Sequence, residues 1–216
     1  MGKREILENY RGLYGIVDLA FKDHLPPVEW AKIFVRNSIK VIQLRGKKVS
    51  DAELFKWAEK LREVIPEEFI FIVNDRPDIA LLTGADGVHV GQDDIPPDAV
   101  KEKFSHLIVG FSTHNFAQFL QAEKTQADYA GFGPIFPTTS KDKPDPVTGI
   151  KPLEEVVSRK TLPVVAIGGI NRERLIEILN VVCPEMFSVV SAIALSSDPE
   201  EEVIILQETY LTRCRK

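Results

Sequence analysis

Two aspartates raise the first chemical question. Asp75 ends the run FIFIVND and Asp94 ends GVHVGQDD, each just past a short apolar stretch. If those stretches are consecutive parallel strands, the two carboxylates emerge side by side. Mg2+ commonly takes one or two carboxylates and fills its other positions with water and phosphate oxygen, so the pair suits it in number and kind. Either aspartate alone has a plainer use, because NDRPD also reads as an Asx turn and helix cap with Pro77 at N1.

Cations follow the ends of other apolar runs: Arg45 and Lys47 at VIQLRGK, and Lys141 after GPIFPTTS. Any one of them beside an acid would be an ordinary surface ion pair. All three on one rim with the hydroxyls of Thr138 and Ser140 describe a polyphosphate site, arginine supplying a planar fork and lysine a point charge. AIGGI and VVSAI suggest a second anion site. Gly168, Gly169 and the strand end near Ser191 leave backbone N–H groups open to a phosphate, if they occupy the last two strand exits of a barrel. A Gly-Gly pair by itself is equally a tight turn. Two separate anion sites, one of them beside carboxylates, suit an enzyme with two phosphorylated substrates.

The remaining polar groups carry less. His89 lies within an apolar run and reads as a hydrogen-bonded structural histidine. His114, just past Ser112 in GFSTH, reads equally as an acid/base group or a helix cap. Asp18 ends GLYGIVD on the same rim, while Trp30 and Trp57 fit apolar helix faces. No Ser/His/Asp order, cysteine ladder or HExxH segment is present.

Positioning these residues requires a particular alternation of elements. Eight β-rich runs occupy 12–18, 41–46, 69–74, 87–91, 107–113, 129–136, 163–170 and 187–193, separated by amphipathic segments such as VSDAELFKWAEKLREVI. There Ser50 and Glu53 form a capping box, and Leu54, Trp57, Ala58 and Leu61 recur at helical spacing. Strands apolar nearly throughout belong to a parallel sheet buried on both faces. Eight similar units in 216 residues predict a single α/β domain over 1–216, a (β/α)8 TIM barrel with its core over about 12–213. An open doubly wound sheet is the competing assignment. In a barrel every polar strand end named above falls on one rim. The irregular stretch at 136–150, which carries Lys141, is long enough to serve as a lid.

The formal net charge of −5 argues against a broad nucleic-acid footprint. No run is long enough to span a membrane, and the N-terminus lacks a secretory signal's apolar core, so no membrane partner is expected. Cys183 and Cys214 form no disulfide framework; Cys214 is expected exposed in the tail, and a reducing cytoplasm is the natural compartment. Assembly into a homo-oligomer is left open.

Taken in order, QLRGK, FIVND, HVGQDD, GFSTH, GPIFPTTSK, AIGGI and VVSAI resemble the thiamine-phosphate synthase family, over nearly the whole chain. The resemblance implies a transferase that joins a hydroxymethylpyrimidine diphosphate to a thiazole phosphate and releases pyrophosphate by Mg2+-assisted dissociative substitution. It implies that Gln43, Leu44, Arg45, Gly46, Lys47, Asn74, Ser112 and Lys141 contact the pyrimidine diphosphate. Arg45, Lys47, Lys141 and Ser112 would be catalytic. Asp75 and Asp94 would hold the metal, and Thr138, Thr139, Ser140, Gly169, Val190 and Ser191 the thiazole phosphate. Three departures stand out: Gly46 where the family often has Glu, NVVCPEMF where it usually has a Gly-Ala-Asp-Gly-like turn, and Ser140 where Thr is frequent. A thiazole tautomerase, which would use a base such as His114 and no metal, and a non-catalytic ligand-binding regulator are the alternatives on the same barrel. A phosphosugar isomerase is disfavoured because no lone glutamate stands at a strand end.

Overall fold

The computed structural model describes residues 2–138 and 145–214. Eight strands, β1 Gly12–Asp18, β2 Val41–Arg45, β3 Ile70–Asn74, β4 Gly87–Val90, β5 Ile108–Thr113, β6 Tyr129–Phe132, β7 Val164–Ala166 and β8 Met186–Val189, form a closed barrel in sequence order. Every neighbouring pair is parallel, and β1 closes on β8 through Gly12↔Met186 to Gly15↔Val189. The helices are α1 Lys3–Asn9, α2 Pro27–Arg36, α3 Asp51–Val64, α4 Pro77–Leu82, α5 Pro97–Lys103, α6 Phe116–Ala122, α7 Ile150–Arg159, α8 Arg172–Leu179, α9 Ser191–Ala194 and α10 Pro199–Arg213. Closure excludes the open sheet, each apolar strand burying one face against the helices and the other in the barrel interior.

The two faces separate by period-2 alternation. Outward residues such as Leu13, Val17, Ile42, Leu44, Phe71, Val73, Phe132 and Phe187 pack against the helix layer with Trp30, Phe34, Leu54, Ala58 and Leu61. Inward residues Tyr14, Val41, Ile70, Ile72, Ile108, Tyr129, Val165 and Met186 fill the barrel's lower half together with Ile6 and Leu7 of α1. The first helix therefore plugs the lower end, and the core begins earlier than residue 12. Helix starts follow local chemistry: Ser50 accepts from the Glu53 amide at 3.2 Å, and prolines stand at the start of α2, α4, α5 and α10.

The lower rim has a repeated device. Asp86, Asp128 and Glu185 immediately precede β4, β6 and β8. Each accepts the backbone N–H of a residue near the start of the preceding strand: Phe71 at 2.8 Å, Val109 at 2.7 Å and Val164 at 3.0 Å. Each also meets one cation from the helix layer (Arg62, Lys101, Lys160) and one from the N-terminal segment (Lys3, Arg4, Arg11). At β1 the amide Gln207 Oε1 takes that place, accepting the Leu13 N–H at 2.8 Å.

Three strand expectations ran too long. β6 stops at Phe132 rather than 136 because Gly133 turns the chain and Pro134 has no N–H to give to the ladder. β7 stops at Ala166, where Gly168 and Gly169 have φ of 92° and 67°. β8 stops at Val189, and SAI, expected in the strand, opens the short helix α9. The cysteine expectation is overturned. Cys183 and Cys214 form a disulfide with Cα atoms 5.9 Å apart, because α10 packs back along α8 and β1 and ends beside the segment leading into β8. Cys214 is half-buried, and the pairing removes the argument for a reducing compartment. No helix among the described residues is long and apolar enough to cross a membrane.

Candidate active site

The upper rim surrounds one pocket, lined by residues from all eight strand ends. On one wall Lys47 Nζ lies 2.6 Å from Asp75 Oδ2 and 3.9 Å from Asp94 Oδ2. The Gly91 N–H donates to Asp94 Oδ2 at 2.7 Å. Asp75 has a φ of 63°, a left-handed backbone that only glycine, asparagine and aspartate adopt with ease, and its N–H reaches the His89 carbonyl at 2.8 Å. It does not cap α4: Arg76 is the N-cap residue, and no side chain caps that end. The plain reading of NDRPD thus holds for Pro77 at N1 and fails for the carboxylate.

Burial raises the Asp75 carboxyl above its ordinary range. Lys47 offsets this, and Asp94 adds to it. Among the described residues the two carboxylates share a single lysine, which leaves one negative charge in excess. That donor set, hard oxygens with a net charge of −1, fits a divalent cation completed by water and phosphate. Among the described residues no group of three or more His, Cys, Asp or Glu could hold a metal. Among the described residues the aspartate pair would therefore supply the carboxylate ligands.

Arg45 extends the wall. Its Nη1 donates to Asp18 Oδ2 at 2.5 Å, and Asp18 also accepts the Ala20 N–H. Asp18 is 2% exposed, so it fixes the guanidinium from beneath. Asn74 and Gln43 are buried at the rim and line the pocket. Leu44 does not, because strand alternation turns it outward, fully buried against the helices. Gly46 faces the helix layer too: an added Cβ would stand 2.9 Å from Leu54 Cδ1 and Val49 Cγ2. A glutamate there would need those side chains to move.

The opposite wall is backbone. Side chains on Gly168 and Gly169 would strike Pro134 Cβ at 2.4 Å and the Pro137 carbonyl oxygen at 2.5 Å. The glycines let the β7 exit lie against the segment after β6, joined by Ile135 N–H to Ile167 O at 2.9 Å and Phe136 N–H to Gly168 O at 3.1 Å. Thr138 is thereby brought to the same wall as Gly169, Val190 and Ser191. Arg174 Nη1 donates to the Gly169 carbonyl at 2.6 Å and packs over the Phe136 ring, which holds the turn. Thr139, Ser140 and Lys141 lie outside the described residues, as does the middle of the segment expected to form a lid, 139–144.

The pocket floor is a set of side chains that the sequence did not expose as a group. Tyr14, Ile16, Tyr129, Val165, Ile167 and Ser188 point inward, as does His89. His89 bonds Tyr129 and Ser112, so it is the structural histidine expected, but it also borders the pocket. Asp145 was missed as well. His114 Nδ1 lies 2.5 Å from the Gly133 carbonyl and its Nε2 lies 3.4 Å from Asp145 Oδ2. Alternation along strands whose ends were known would have identified the inward floor; nothing local marks Asp145.

Comparison with known proteins gives a consistent picture. The family model described as thiamine monophosphate synthase matches residues 13–193. The thiamine-phosphate synthase of Chlorobium phaeovibrioides is 42% identical over 82% of this chain and 85% of its own length. That of Archaeoglobus fulgidus is 40% identical over 90% of each. Among solved structures, the thiamine phosphate pyrophosphorylase from Pyrococcus furiosus superposes with a TM-score of 0.85 at 30% identity, covering 99% of this chain and 100% of that one. The phosphoribosyl anthranilate isomerase of Thermotoga maritima, at 13% identity and a TM-score of 0.67, shares the fold alone.

Proposed function

Because the chain belongs to the thiamine monophosphate synthase family, a family of transferases, we propose that it joins a hydroxymethylpyrimidine diphosphate to a thiazole phosphate, releasing pyrophosphate and forming thiamine phosphate. The observation that carries this reading is a single pocket with two unlike walls: Asp75, Asp94, Lys47 and Arg45 on one side, the glycine turn and Ser191 on the other.

The division of labour follows from those walls. Gln43 and Ser112 hold the pyrimidine at the floor. Arg45 and Lys47, with Lys141 from the segment outside the described residues, take up the charge that grows on the departing diphosphate. Asp75 and Asp94 would hold Mg2+, which when bound supplies further charge neutralisation on that diphosphate. The backbone amides near Gly169 and Ser191, with Thr138, hold the thiazole phosphate so that its ring nitrogen waits within reach of the carbon losing the diphosphate. No protein nucleophile is needed, because the electron-rich aminopyrimidine itself stabilises the cation left behind. Ile16, Val165 and Ile167 line the interior and keep water from that cation. Lys47, placed between the aspartates, pairs with both in the ligand-free pocket.

Purified protein given both substrates and Mg2+ should release pyrophosphate and form thiamine phosphate, and EDTA should stop it. Conversion of the thiazole alone, without metal, would favour the tautomerase instead. His114 supports that alternative poorly, since both of its ring nitrogens already face acceptors. Binding of both ligands with no product would favour the regulator.

A further inference from the structure

The barrel interior holds a continuous line of polar side chains from β2 to β5. Gln43 Nε2 lies 2.8 Å from the Tyr14 hydroxyl, which lies 2.7 Å from the Tyr129 hydroxyl. Tyr129 lies 3.1 Å from His89 Nδ1, and His89 Nε2 lies 2.8 Å from Ser112 Oγ. Gln43, Tyr14 and Tyr129 are at most 3% exposed, so water does not substitute for these partners. The line has been given room: an added Cβ on Gly110 would stand 2.2 Å from the Tyr129 ring and 2.4 Å from His89 Nδ1.

We propose that this chain runs in one direction, from Gln43 to Ser112, and that Tyr14, Tyr129 and His89 are positioning residues that make the pocket select a ring bearing an amine beside a ring nitrogen. This rests on the pyrimidine reading above and names what enforces it. An amide nitrogen only donates, so Tyr14 receives a proton from Gln43. The Tyr14 proton must then go to Tyr129, since a buried hydroxyl hydrogen without an acceptor costs about 1–3 kcal/mol. Tyr129 in turn gives its proton to Nδ1, which must be bare. His89 carries its single ring proton on Nε2 and donates it to Ser112. The Ser112 hydroxyl proton is left for the pocket, as is the Gln43 carbonyl oxygen at the other end. Burial pushes both phenols above their ordinary range, which keeps each proton in place. The pocket thus presents a fixed acceptor at Gln43 and, at Ser112, a hydroxyl hydrogen with one lone pair left over. An exocyclic amine satisfies the first and an unprotonated ring nitrogen the second. A 4-oxo ring sets an acceptor against the Gln43 acceptor, a mismatch, and leaves the Ser112 hydrogen unused by taking its lone pair instead.

The reverse direction is the sharp alternative. It would present the Gln43 amide hydrogens and a Ser112 lone pair, and it would prefer the 4-oxo ring. Nitrogen-15 NMR of ligand-free protein reads the tautomer directly, and the Nε2–H form is expected. Tyr129→Phe should mix the two tautomers, whereas Tyr14→Phe should leave Nε2–H dominant. Calorimetry with 4-amino-5-hydroxymethylpyrimidine and its 4-oxo analogue, without metal, should favour the amine by at least about 100-fold. Tyr129→Phe should narrow that preference severalfold while affinity for inorganic pyrophosphate stays unchanged, which separates positioning from a loss of fold. An Nδ1–H tautomer, or a preference for the oxo ring, overturns the proposal even if thiamine phosphate is formed. Binding of neither ring overturns the selection. Failure of coupling with the tautomer and amine preference intact would count against the proposed reaction and leave this proposal supported.

Discussion

The two rims of the barrel use the same residue types to opposite ends. On the lower rim each of Asp86, Asp128 and Glu185 meets two cations and one backbone N–H. On the upper rim Asp75 and Asp94 meet one lysine between them, and Asp75 holds a left-handed backbone besides. The lower carboxylates are complete. Among the described residues the upper ones are deficient by one positive charge, and burial already pushes Asp75 toward its neutral form. Stoichiometry within a cluster, rather than the presence of charged residues, distinguishes a rim that holds the fold from a rim that awaits a ligand.

The comparison breaks first if the upper carboxylates prove dispensable. Asp94→Ala or Asp75→Asn should lower metal-dependent pyrophosphate release by at least about 100-fold. For Asp75→Asn, Tm should stay unchanged or rise, since asparagine tolerates the left-handed backbone without the buried charge. A normal metal-dependent rate in both variants would end the metal assignment. The lower rim should behave inversely. Lys101, 7% exposed, is the inner cation of the Asp128 clamp, and Lys101→Met leaves that carboxylate only the exposed Arg4 and the Val109 N–H. A loss of about 3 kcal/mol in urea unfolding is expected, with kcat and KM retained at a temperature where the variant is folded. Gly169→Ala tests the backbone wall. The left-handed φ and the nearby Pro137 carbonyl should shift the turn and raise the KM for thiazole phosphate about tenfold, a cost of about 1–3 kcal/mol, with the pyrimidine diphosphate KM unmoved. The smallest effect refines the lower rim itself. Arg4, the outer cation on Asp128, is half exposed, so Arg4→Ala should cost under about 1 kcal/mol. An Arg4 effect equal to that of Lys101 would contradict the inner–outer distinction.

The barrel was legible because parallel strands buried on both faces leave unbroken apolar runs, and their exits change abruptly to polar residues. That change located Asp18, Arg45, Lys47, Asn74, Asp75, Asp94, Ser112, Gly169 and Ser191 on one rim, and the pocket gathers all of them. The interior was harder. Tyr14, Tyr129 and Ser188 look like strand filler until closure decides which alternate residues point inward. Leu44 shows the same limit from the other side, standing between two pocket residues and facing away from both. The lower clamps join residues as near as Phe71 and Asp86, 15 positions apart, and as far as Arg11 and Glu185 at opposite ends of the chain, and only strand register brings them together. The cysteine pair was illegible for a related reason: 31 positions of intervening strand and helix must fold before the two sulfurs meet.

That sulfur link turns the last strand and the helices after it into a covalent ring. Fraying from the carboxyl end stops at Cys214, where the chain is anchored to its own interior. A single protease nick near Asp198 would leave two pieces that travel as one molecule until a thiol is added.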